Sequence, residues 1–247
     1  MSSARTGLAA SFSSLRIPAY KKLWWAGTFS FMSVQMQFLL RGVLAWDLTE
    51  RESALGLVYL CFGVALLVAT PLGGVAADRL PKRKVLLVSQ GAILVAAAGM
   101  GVVVVTDTVQ FWMLLVAALT QGLAFGFYGP TRVAFTSEIV GREQLGNAIT
   151  LSMLSMNGTR VFAPSLAGAL AGIALVGIGG GYIVSALFSL GAFVLLLRCP
   201  PGAEPRATSK AKPLAEIVDG VRYVGARPHL RRLVLSSFVI IMFGFNY

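Results

Sequence analysis

Asp78 stands at the head of a dense charge cluster. Arg79, Lys82, Arg83 and Lys84 follow it within six residues, and the whole segment Gly74–Lys84 is wedged between two long uncharged apolar runs. An acid at a membrane boundary gains most from a partner base or a helix N-terminus. A charge pair that closes in one conformation and opens in another would bias a two-state motion by about 1–3 kcal/mol. The bases alone have a second explanation, since they hold a loop on one side of a bilayer. That explanation leaves the single Asp at the end of the run unaccounted for. Gly74 would allow the flanking helices to approach closely beside the cluster.

Arg41 and Arg160 are the only charges well inside apolar runs. A guanidinium at membrane depth costs at least about 2.5 kcal/mol, so it faces a cavity or a partner. Arg41 shares a helical face with Ser30, Ser33 and Gln37. Its alternative is to snorkel outward toward Trp46. Arg160 lines up with Asn147, Thr150, Asn157 and Pro164, about 22 Å along a helix counted from Leu145. Gln37, Arg41, Asn157 and Arg160 are therefore the candidate substrate-cavity residues. Another face of the same run carries Ala148, Ser152, Ser155, Thr159, Ala163 and Ala167, small residues suited to tight helix contact. Gly122 and Gly126 suggest packing in the preceding run, and Pro164 suggests a bend. Arg132 lies about 30 Å beyond Trp112. It either partners Asp78 as part of a cytoplasmic gate or contacts lipid headgroups.

No carboxylate lies deep in an apolar run. Asp47 and Asp107 fall at one set of ends, Asp78 and Glu138 at the other. A proton-coupled carrier needs a titratable group of alternating exposure. Asp47 is the candidate here, unless the site lies in a missing second half. Two deep arginines without local acids suit an anionic substrate bearing a carboxylate or catecholate; otherwise their partners are acids of that second half.

These residues must be positioned by membrane helices. The chain has 247 residues, 56% hydrophobic and 13% charged, against about 25% charged in a soluble domain. Six runs reach the roughly 20 residues a span requires: Leu23–Trp46, Ala54–Ala76, Val85–Val105, Val109–Phe127, Leu145–Val176 and Ile178–Leu197. All but three of the 21 Lys and Arg residues (Arg41, Arg51 and Arg160) fall in the tails and loops of one side. The net charge of +11 thus orients the chain with its N-terminus in the cytoplasm of a cell membrane, and nucleic acid is not an expected partner. Cys61 and Cys199 are too far apart in sequence for a metal motif. His229 has no cluster of potential ligands around it. No nucleophile–base pair, phosphate loop or metal spacing supports an enzyme, and no cofactor is expected.

The expected organisation is a cytoplasmic tail (1–22), a six-span bundle (23–199), a cytoplasmic linker (200–232) and the truncated start of a seventh span (233–247). Within the linker, Leu214, Ile217, Val221 and Val224 share one helical face, which predicts an amphipathic helix on the membrane surface.

The Gly74–Lys84 segment resembles the signature loop between spans two and three of the major facilitator superfamily, with Pro81 where that pattern usually has Gly. Glu138, Gly141–Ala148, Asn157, Arg160 and Ala163–Gly168 resemble the exporter branch, which includes macrolide and siderophore efflux proteins. The resemblance implies an all-α membrane protein: a six-span helical bundle forming the N-terminal half of a twelve-span fold, plus a truncated seventh span. It implies that Asp78, Arg79 and Arg83 latch the cytoplasmic side. The expected function is secondary active, proton-driven export of a small organic molecule. The alternatives are an organic-anion uptake carrier or a non-transporting half-length scaffold.

Overall fold

The computed structural model describes residues 12–173, 176–202, 225–227, 229–233 and 236. The chain divides into two compact units, 1–206 and 207–247. In the first, a 3-10 turn at Ser13–Arg16 leads into helices α1 (Pro18–Thr49), α2 (Glu52–Arg79), α3 (Lys82–Val105), α4 (Phe111–Gly172) and α5 (Gly177–Leu197). The connections are short, and each span is continuous helix because backbone within a bilayer has no water to bond and must satisfy itself. Pro18 occupies the first turn of α1, where its missing N–H costs nothing. Of the second unit, residues 229–233 are helical. The expected linker helix at 214–224 and nearly all of the run 233–247 lie outside the described residues.

Helices α2 to α5 are each long and apolar enough to cross a membrane. At 62 residues α4 is far longer than one span, and its helical dihedrals break only at Gly141 (φ 72, ψ 176), a conformation open almost exclusively to glycine. Its two arms, 111–140 and 142–172, are each of span length. The expected loop between the fourth and fifth runs is therefore a single residue, and Glu138 is helical. The backbone stays helical through Pro164, so the break falls at Gly141 rather than at that proline. Helix α1, 32 residues long, is not among the four. Its buried Ser30, Ser33, Gln37 and Arg41 lower its hydropathy, and the surrounding helices supply what lipid could not.

Helix α2 packs along the first arm of α4 through small residues. A Cβ built on Gly126 would stand 2.5 Å from the Ala69 Cβ, and one on Gly122 would stand 2.8 Å from the Ala65 Cβ. Gly73 presses on the Gly126 carbonyl and would place a Cβ 2.8 Å from the Phe127 Cα, whereas a Cβ on Gly74 would meet open space. The close approach expected of Gly74 is thus made by its neighbour. The second arm of α4 buries Ala148, Ser155, Thr159, Ala163 and Ala167, the small-residue face legible in the sequence.

Gly73→Ala should lower the detergent-solubilised protein's stability by about 1–3 kcal/mol through overpacking. Gly74→Ala should be neutral, or stabilising by up to about 1 kcal/mol through helix propensity. Thermal melts of the two variants check the contrast.

Candidate transport site and basic-end gate

The helix ends that carry the basic loops are tied by side chains reaching to other helices. The Lys82 ammonium lies 3.1 Å from a Glu138 carboxylate oxygen, with the two side chains 18% and 21% exposed. This pair joins the start of α3 to the end of the first arm of α4. Arg83 donates from Nε to the Leu196 carbonyl at 3.3 Å and from Nη2 to the Leu197 carbonyl. Lys22 donates to the Arg198 carbonyl at 3.2 Å. Both bases therefore sit where α5 leaves its last carbonyls unbonded and its dipole is negative. Cys199 is buried beside them. Burial pushes its thiol above the ordinary value, partly offset by the Lys22 and Arg83 charges.

Asp78 is exposed in the last turn of α2, and Arg79 is partly exposed beside it. Among the described residues Asp78 forms no ion pair. The bridging pair is Lys82–Glu138, whose combination the sequence did not reveal because Glu138 is 56 positions away along the chain. Arg132 is 8% exposed and meets neither Asp78 nor the surface. Its guanidinium lies 5.1 Å from the Phe31 ring centroid and fills the space a Cβ on Gly27 would need. Both expectations for Arg132 are corrected by this inward placement.

Arg41 is 2% exposed, so it does not snorkel. It donates from Nε to the Gln37 carbonyl at 3.1 Å and from Nη2 to the Gln121 side-chain oxygen. The Phe62 ring centroid is 5.9 Å from its guanidinium carbon. Gln37 in turn donates to the Ser33 hydroxyl at 3.0 Å. This stripe is buried inside the bundle, with Gln37 and Arg41 Nε and Nη2 bonded and Arg41 Nη1 and the Ser30 hydroxyl left without a partner. Asn157 and Arg160 are exposed on the second arm of α4. The four expected cavity residues thus divide into a sealed pair and an open pair. Asp47 is exposed near the opposite end of α1 from the basic loops.

Sequence reading missed a second set of contacts. Tyr20 donates to the Ala148 carbonyl at 2.7 Å, Trp24 Nε1 to the Leu151 carbonyl at 3.0 Å, and the Thr28 and Ser155 hydroxyls lie 2.6 Å apart. The four-residue spacing of Tyr20, Trp24 and Thr28 was the available signal. Gln90 likewise ties α3 to α5, donating to the Ser189 hydroxyl at 2.6 Å.

Span-length helices, cross-linked by polar side chains and tied at one end by basic residues, define a multi-pass helical membrane protein. The chain belongs to the Major Facilitator Superfamily, which it matches over residues 23–247. It is 27% identical over 234 residues to the enterobactin exporter EntS of Shigella flexneri, covering 92% of this chain and 55% of that one. The enterobactin exporter EntS of Shigella boydii is also 27% identical, over 232 residues, covering 91% and 53%. The chain spans about half the length of these curated relatives.

Breaking the bridging pair with Lys82→Gln or Glu138→Gln should change stability by no more than about 1 kcal/mol, because the pair is partly solvated. Thermal melts of the two variants in detergent check this, and the charge-swapped double variant Lys82→Glu/Glu138→Lys should regain the parent's midpoint.

Proposed function

We propose that the chain forms the first bundle of a secondary active exporter that moves a small organic molecule, drug- or siderophore-like, out across the cytoplasmic membrane by alternating access. The observation carrying this reading is the open polar face of Asn157 and Arg160 midway along a span. A guanidinium facing hydrocarbon costs several kcal/mol, so such a face is suited to a watery passage against a second bundle. The named relatives are exporters, which favours efflux over uptake. The asymmetry of basic residues supports a cytoplasmic N-terminus.

In this reading the Lys82–Glu138 pair, together with Asp78, Arg79 and Arg83, holds the basic end shut in one state and parts in the other. Gly73 rather than Gly74 brings the helices together there. Asp47 is the local candidate for proton coupling, and the second bundle supplies the remaining sites. An anion-uptake carrier would use the same open face with the opposite direction of flux.

Expression in an efflux-deficient host should lower the intracellular level of a transported drug or siderophore, and gene deletion should raise it; the reverse pattern would indicate uptake. Arg160→Ala should cut the flux at least about tenfold at unchanged membrane abundance. Undiminished flux would remove Arg160 from the passage.

A further inference from the structure

A cleft of about 310 Å³ opens between α1 and the two arms of α4, within the range of small-ligand pockets. Its walls include Phe31, Phe125, Ile149, Met153 and Met156, with Arg132 set among them. Phe31 and Phe125 meet edge to face, with ring centroids 5.7 Å apart. The hydroxyls at the cleft are already engaged. Thr136 donates to the Arg132 carbonyl at 2.9 Å, and the Ser152 hydroxyl lies 3.3 Å from that of Tyr20. Arg132 is the exception. Its Nε is buried without a hydrogen-bond partner, and among the described residues no carboxylate pairs with it.

We propose that this cleft binds an aromatic acid, with the Arg132 guanidinium pairing the acid group and Phe31, Phe125 and the two methionines packing the ring. The inference rests on the transport reading and deepens it by naming a substrate class. A buried guanidinium without a counter-charge is costly and gains most from an anionic oxygen. The ring and thioether walls favour an aromatic partner in edge or offset contact. A neutral apolar guest would leave the charge unmet, and a small hydrated anion would leave the walls wet. Gly27 contributes by omission: it carries no side chain at the place where the guanidinium lies flat against α1.

The test is calorimetric binding to the purified protein in detergent, with salicylate, acetate and benzyl alcohol as probes. Salicylate should bind at least about tenfold more tightly than either of the others, which lack the ring or the charge. Arg132→Gln should weaken salicylate binding at least about tenfold, while Arg132→Lys, which keeps the charge, should stay within about tenfold of the parent. Ile149→Trp should block the cleft with Arg132 intact. Circular dichroism and size-exclusion profiles matching the parent establish that each variant is folded. Absence of salicylate binding to the parent, equal binding by Arg132→Gln, or equal binding of acetate or benzyl alcohol would overturn the proposal. Because the readout is binding, it separates from the transport reading. Salicylate binding without efflux would sink the exporter and keep the site, and efflux without salicylate binding would do the reverse.

Discussion

Helix α1 carries a buried polar stripe through an apolar bundle, and the packing of the other helices follows from what that stripe must have satisfied. In hydrocarbon an unpaired polar group costs several kcal/mol. Ser30, Ser33, Gln37 and Arg41 are each no more than 2% exposed, so neighbouring helices must supply both cover and partners. The first arm of α4 offers Gln121 to Arg41. The second arm offers backbone carbonyls to Tyr20 and Trp24.

Two kinds of adhesion operate elsewhere. Where α2 meets the first arm of α4, Gly73, Gly122 and Gly126 bring backbones together and dispersion holds them. Midway along the contact of α3 with α5, Gln90 reaches Ser189. The two differ in what a relative movement would disturb. Shape contacts lose attraction gradually as helices separate, whereas a buried hydrogen bond is kept or lost with the full cost of leaving a polar group bare.

The basic end has a third arrangement. Arg83 and Lys22 bond the terminal carbonyls of α5, while Lys82 reaches across to Glu138. Positive charge at a helix C-terminus complements its dipole. The Lys82–Glu138 pair instead joins two opposite full charges on different helices. One short basic segment thus caps one helix through Arg83 and reaches a carboxylate of another through Lys82.

By itself the sequence determined that the chain is helical, membrane-spanning and biased in charge to one side. Span length, hydropathy and loop charge are local properties, summed along the chain without knowledge of neighbours. The small-residue face of the second arm of α4 was legible for the same reason, since helical periodicity alone places those residues together. The turn at Gly141, the choice of Gly73 over Gly74, the pairing of Lys82 with Glu138 and the inward placement of Arg132 were decided only by tertiary structure. Each depends on which helix lies opposite and at what height, and one residue along a helix turns a side chain by about 100°. A charge's type can be read from its letter; its partner belongs to another segment and is set when the helices pack.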